Sequence, residues 1–153
     1  MKTLHGFTLV EVLIVVSILG IMAAIVMPHY NSSTAEAQLA ALQTNLHVVR
    51  KQLELYKLHH NGLWPSAVGE TGADFTRRMV TKTDASGAPG TQFGPYLERM
   101  PINKYNGRAT VRIGEAAAGA GTDGWRFDPL SGGFQADDNY DGNNDGVPDH
   151  VGL

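Results

Sequence analysis

The chain has 153 residues with a formal net charge of −3 and no cysteine. That length is one domain's worth, and the absence of cysteine excludes a disulfide scaffold. No basic patch with interleaved aromatic residues occurs, so nucleic-acid binding has no support.

Residues 1–6 form a short polar leader ending in Gly6, and an apolar run then continues from Phe7 to Met27, just before Pro28. About twenty apolar residues make a helix of roughly 30 Å, the thickness of a bilayer core. One carboxylate, Glu11, stands almost at its start. A lone charge in such a helix is expensive and marks a functional position. An ordinary secretory signal has a shorter apolar stretch with its cleavage site after it. Here the candidate cleavage site, Gly6-Phe7, precedes the run.

After Pro28 the pattern turns amphipathic. Ala35, Leu39, Leu42, Leu46, Val49, Leu53, Tyr56 and His60 follow at spacings of four and three. This predicts one long helix from Phe7 to about His60, loosened at Gly20 and Pro28, with a narrow apolar seam docked on the rest of the chain. Asn61-Gly62 followed by Pro65 is the stop.

Sixteen of the eighteen glycines and six of the seven prolines lie beyond Asn61. The remainder is therefore a Gly/Pro-rich head with a limited core. A short helix is expected from Asp74 to Thr83, with Phe75, Met79 and Val80 inward. Residues 83–94 read as a polar loop and 115–122 as a small-residue loop. Ala109 to Ile113, Trp125 to Phe127 and a return strand from Phe134 alternate as strands do, which predicts a small antiparallel sheet on the helical seam. Trp64, Trp125, Phe127 and Phe134 are assigned to the core. The expected class is α+β, with segments 1–6 (leader), 7–28 (apolar helix), 29–60 (amphipathic helix) and 61–153 (head).

The chain ends in an aspartate-rich run. Asp141, Asn143 and Asp145 stand two apart, followed by Gly146 and Asp149. Asp137, Asn139 and Asp141, with Gly142 and Asp145, repeat that spacing one step earlier, and Asp138 lies between. Alternate oxygen side chains on a glycine-hinged loop can converge on calcium, which takes six to eight oxygens. Without a cation these carboxylates repel one another, so a mobile tail is expected. The spacing resembles thrombospondin type 3 and dockerin-like calcium loops, although the twelfth positions are Pro148 and Gly152 and not Glu. No catalytic constellation accompanies it: the chain lacks Gly-x-Ser-x-Gly, a phosphate loop and a cysteine nucleophile. His59-His60 is read as a polar helix terminus.

The leader ending in Gly6, Phe7-Thr8-Leu9-Val10-Glu11 and the apolar run together resemble the N-terminus of type IV pilins and type II secretion pseudopilins. Gly94-Pro95-Tyr96-Leu97 through Pro101 resembles a segment of the major, G-type pseudopilins. The resemblance implies a structural, non-enzymatic subunit. It implies cleavage after Gly6 by a prepilin peptidase, N-methylation of Phe7, and a role for Glu11 in assembly. It further implies a single-pass protein of the bacterial inner membrane with its head in the periplasm. Such subunits polymerise with copies of themselves, with minor pseudopilins and an inner-membrane assembly platform as partners, into a filament that drives protein export. Many type IV pilins close their C-terminal region with a disulfide, and major pseudopilins carry calcium in C-terminal loops. The missing cysteines and the Asp-rich run therefore favour the secretion pseudopilus. The alternatives are a type IV pilus subunit for adhesion, motility or DNA uptake, and a membrane-anchored calcium-binding module that does not polymerise.

Overall fold

The computed structural model describes residues 7–114 and 116–153, with the side chains of 26–33 excepted. Helix α1 spans Leu9–His59 and α2 spans Gly72–Val80; three short strands follow, β1 Val111–Ile113, β2 Trp125–Phe127 and β3 Phe134–Ala136. The chain divides into two compact units, Met1–Ala37 and Gln38–Leu153. Each holds a part of α1. The helix shows no break at Gly20 or Pro28.

In the second unit the seam of α1 is the spine of the core. Leu42, Leu46, Val49, Leu53 and Tyr56 are all buried, in one cluster with Phe75, Met79, Trp125, Phe127 and Phe134. The seam begins later than its periodicity predicts, since Ala35 and Leu39 are exposed. Burial holds the Tyr56 phenol protonated, its pKa pushed up to about 12. The helix ends as its sequence dictates. Asn61 takes a left-handed φ of 53°, and the Gly62 amide donates back to the Lys57 carbonyl at 2.9 Å. That bond closes the last turn and satisfies a carbonyl the helix itself cannot.

His60 closes the seam as its spacing predicts, and is not the polar terminus that its residue type suggests. It is fully buried, stacked on Tyr56 with ring centroids 3.7 Å apart, and in hydrogen-bond contact with Thr83 Oγ1 at 2.9 Å and the Tyr56 carbonyl at 2.8 Å. A buried imidazole is tolerated because both ring nitrogens have partners. Thr83 and Phe93 in turn exchange backbone hydrogen bonds at 2.9 Å, which ties the polar loop into a tight return.

Helix α2 starts at a reciprocal cap. The Thr71 hydroxyl accepts from the Asp74 amide, and the Asp74 carboxylate accepts from the Thr71 amide. This cap places the start at Gly72, two residues ahead of the expected Asp74. Phe75 and Met79 face inward as their spacing predicts. The absence of a side chain at Gly72 lets α2 approach β1, since a Cβ there would stand 1.7 Å from the Val111 carbonyl oxygen. The Met79 carbonyl at the end of α2 accepts from the amides of both Tyr96 and Leu97.

The sheet order is β1-β2-β3. It is mixed and not wholly antiparallel: β1 pairs with β2 in parallel and β2 with β3 antiparallel. The reason is the connection. A tight Pro-Ser-Gly turn joins β2 to β3 and returns the chain antiparallel, whereas β1 and β2 are not joined by such a turn. Arg50 of α1 secures β3 by donating through Nε and Nη2 to the Phe134 carbonyl, at 3.0 and 2.8 Å.

Leu46, 1 % exposed, sits in the middle of this seam. Leu46→Ala should destabilise a fragment starting at Gln38 by about 2–5 kcal/mol, through lost transfer energy and the cavity left behind. Urea unfolding followed by tryptophan fluorescence measures it, and a change within 0.5 kcal/mol would contradict the packing described.

Candidate functional sites: the helix start and the Asp-rich loop

The start of α1 is built around Thr8 and Glu11. Thr8 Oγ1 accepts from the Glu11 amide at 3.2 Å, and Glu11 Oε2 accepts from the Thr8 amide at 3.3 Å and its hydroxyl at 3.4 Å. This is a capping box with the carboxylate at the third helical position, where the positive end of the helix dipole favours it. None of the ion pairs among the described residues uses Glu11. Phe7 is 83 % exposed. Gly6 and the rest of the leader lie outside the described residues.

Every large apolar side chain from Leu9 to Ile25 is exposed, by 50–82 %. The helix is apolar all round, a pattern that within a protein belongs to a buried element. The single hydroxyl in this stretch, Ser17, donates to the Leu13 carbonyl at 2.7 Å and so needs no outside partner. Among the described residues no helix is long and apolar enough to cross a membrane.

In the second unit the Asp-rich run splits in two. Asp137 is fully buried, and both its oxygens face Arg112, at 2.8 Å to Nε and 2.6 Å to Nη2. Its Oδ1 also accepts from the amides of Gly119 and Ala120. The hydrogen bond from Arg112 to Asp137 is the main reason the guanidinium pKa lies above its ordinary value. Asp138, 2 % exposed, accepts from Asn103 Nδ2 at 2.6 Å and meets His150 Nδ1 at 2.7 Å. The His150 ring stacks on Tyr140 and tilts against Tyr105, with centroids 5.4 and 4.1 Å away. Gln135 donates to the Val151 carbonyl at 2.8 Å. The start and end of the run are thus docked on the head by Asp137, Asp138 and His150.

Asp141, Asn143, Asp145 and Asp149 lie beyond these anchors on an exposed turn. Asp141 accepts from the amides of Asp145 and Gly146, Asn143 from that of Asp145, Asp145 from that of Val147, and Asp149 from that of Gly142. Gly146 takes the positive φ of 83° that the turn requires. Asn139 is exposed beside them. The structure therefore groups Asp141, Asn143, Asp145 and Asp149 on one turn and commits Asp137 and Asp138 elsewhere. No group of three or more His, Cys, Asp or Glu among the described residues is arranged to hold a metal ion.

Arg112, Asn103 and His150 are the residues that sequence reasoning passes over. A lone cation in an otherwise apolar strand and a His closing an acidic run were their only signals. Removing one partner of a buried ion pair strands the other charge. Arg112→Ala should cost about 3–5 kcal/mol. Arg112→Ala combined with Asp137→Ala should cost less than the sum of the two single changes, which a double-mutant cycle by urea unfolding measures; additive costs would mean the pair does not couple.

Comparison with known proteins bears on both sites. A prokaryotic N-terminal methylation motif matches residues 1–27. The type IV major fimbrial protein FimA of Dichelobacter nodosus is 34% identical over 122 residues, covering 78% of each chain. The type II secretion system core protein G of Vibrio cholerae is 32% identical over 105 residues, 69% of this chain and 68% of its own. The corresponding core protein G of Aeromonas hydrophila is 33% identical over 101 residues, 65% of this chain and 66% of its own. No solved structure matches significantly. A methylation motif at the head of an exposed apolar helix, and a likeness to fimbrial and secretion subunits that extends well beyond that helix, lead to one conclusion: the chain belongs to the pilin-like family of type IV pilins and type II secretion pseudopilins.

Proposed function

We propose that this pilin-like subunit is the major pseudopilin of a type II secretion system. The observation that carries the choice is how the head is closed. In a chain without cysteine, the C-terminal region is pinned by Arg112–Asp137 and by Asp138–His150. The disulfide closure that many type IV pilins use is thereby replaced. The likeness to a type IV fimbrial protein favours the second reading, a type IV pilus subunit. Deleting the gene separates them. Loss of export of folded proteins with surface pili and motility intact fits the secretion reading; the opposite outcome fits the type IV reading.

On this reading the prepilin peptidase cuts after Gly6 and methylates the new terminus at Phe7. The run from Phe7 to Met27 anchors the subunit in the inner membrane, with the head in the periplasm. Minor pseudopilins and the inner-membrane assembly platform then draw it into a filament of like copies. In the filament the apolar helices cover one another's exposed faces. Glu11, which takes part in none of the ion pairs among the described residues, meets the terminal amine of Phe7 in an adjacent copy. Pairing relieves the cost of holding either charge in an apolar setting. The likeness to fimbrial and secretion-system subunits supports a mechanical role.

Gly6→Ala should leave the chain unshortened wholly or in part, by intact mass, because the cut needs a residue without a side chain. Glu11→Ala should be shortened and inserted normally yet yield few filaments in a shearing assay. Filaments at normal yield would show that the Glu11 pairing is dispensable.

Calcium is proposed for Asp141, Asn143, Asp145 and Asp149. What supports it is the donor set: four oxygen-bearing side chains on one exposed turn, with lone pairs beyond those their backbone hydrogen bonds use. Calcium bound only to the folded form stabilises it by about 2.7 kcal/mol at a hundredfold excess over Kd. The melting temperature should therefore rise with calcium and less with magnesium. Asp141→Ala with Asp145→Ala should abolish the rise. Neither heat of binding nor a shifted melt at millimolar calcium would leave the turn as a solvated one.

A further inference from the structure

The small-residue segment between β1 and β2 crosses the C-terminal run at the base of the Asp-rich turn. Residues 116–122 place no side chain in the buried apolar cluster. Hydrogen bonds hold them instead. The Gly119 and Ala120 amides donate to Asp137 Oδ1 at 3.0 and 3.3 Å, and the Gly121 amide donates to the Asp137 carbonyl at 2.8 Å. The Ala117 carbonyl accepts from Arg112 at 2.8 Å, and the Gly121 and Thr122 carbonyls accept from Arg108. The turn itself is closed by the Asp149 amide, which donates to the Tyr140 carbonyl at 2.8 Å. The neighbours of that closure lie against two glycines of the segment. A Cβ at Gly121 would stand 2.9 Å from Asn139 Cγ, and one at Gly119 would stand 2.8 Å from Pro148 Cγ. The segment is thus glycine at the two places where the ends of the turn cross it. A segment fixed by hydrogen bonds and not by apolar contacts opens at a lower cost than the core.

We propose that residues 116–122 are a clasp on the base of the turn, and that clasp and turn open and close together, so that the clasp sets how tightly the turn holds calcium. The clasp rests on the calcium reading above and adds residues that hold no cation themselves. An open clasp frees Asn139 and Pro148, and with them the two ends of the turn that carries Asp141, Asn143, Asp145 and Asp149. A cation that binds only the closed turn therefore closes the clasp, and the coupling is reciprocal: a clasp that opens more easily weakens the binding of the cation. Gly119 and Gly121 are positioning residues. They act through Pro148 and Asn139 and not on the cation.

Hydrogen exchange of the full-length protein in detergent, followed by mass spectrometry, reads the clasp directly. In chelator the Gly119, Ala120 and Gly121 amides should exchange faster than those of the α1 seam from Leu42 to Tyr56, and in step with the Asp145 and Gly146 amides of the turn. With calcium at a hundredfold excess over Kd the open fraction falls about a hundredfold, and exchange at Gly119 to Gly121 should slow by that factor. Gly121→Ala puts a methyl group against Asn139 at a φ of 70°. It should raise the calcium Kd about tenfold, measured by titration calorimetry at a temperature where the variant is folded. Gly119→Ala should do the same through Pro148. Variants that melt earlier but keep the wild-type Kd would overturn the clasp, because the glycines would then serve packing alone. Calcium binding without slower exchange at Gly119 to Gly121 would overturn it too, and leave the calcium reading standing. The wild-type exchange decides between these even if neither variant folds. If the wild type gives no heat of binding, the calcium reading falls and the clasp with it.

Discussion

A helix that is apolar on every side cannot remain in water. Burying the large side chains from Leu9 to Ile25 is worth about 1.5–3 kcal/mol each, and among the described residues of the first compact unit nothing covers them. That one deficit dictates what the subunit can do. Lipid removes it, and so does a bundle of like helices. Between those two surroundings the apolar side chains have little preference, since a hydrocarbon tail is as apolar as a leucine. The balance between storage and assembly must then come from the few polar groups present. Thr8 and Ser17 are satisfied locally. Glu11 is capped by Thr8 and takes part in none of the ion pairs among the described residues, and it is the group that the proposed assembly relies on.

The head solves a different problem, that of closing a glycine-rich chain on a small core without disulfides. The core supplies a spine in the seam of α1, and the loops are tied to it by charged side chains reaching backbone carbonyls and carboxylates. Arg78 binds Glu70 through two nitrogens, at 2.6 and 2.8 Å, and also reaches the Pro65 and Gly87 carbonyls. Arg112 links β1 to Asp137 and to the Ala117 carbonyl. A pair with a buried member, such as Arg112 with Asp137, adds little net stability over apolar packing but is intolerant of a missing partner. Such pairs select one arrangement of the loops among the many that glycine permits.

Much of this was legible in the sequence, for identifiable reasons. The seam from Leu42 to Tyr56 follows from its spacing alone, because a helix face is a local property. Where the seam starts is not local: Ala35 and Leu39 keep the period but are exposed, since periodicity records which face is apolar and not how far the partner surface extends. Strands of three residues can be placed by alternation but not oriented, so the parallel pairing of β1 with β2 escaped. The anchors of the tail were invisible for the same reason. Asp137 finds Arg112 across 25 residues and Asp138 finds Asn103 across 35, and no spacing rule spans such distances. At the N-terminus the order is reversed: the methylation motif that matches residues 1–27 is contiguous, so the family could be read from it.

The Asp-rich run shows how burial assigns roles that residue type cannot. Its five aspartates look equivalent in sequence. Asp137 and Asp138 are carried inside the head by β3, and a carboxylate there is held only with a partner, so Arg112, Asn103 and His150 accompany them. Asp141, Asp145 and Asp149 stay in water, where backbone amides shape their turn and leave their charge unspent. The first pair fixes where the turn emerges from the head. The other three stand on that fixed turn, their carboxylates shaped by backbone amides. Without the buried pair the charge on that turn would have no defined position.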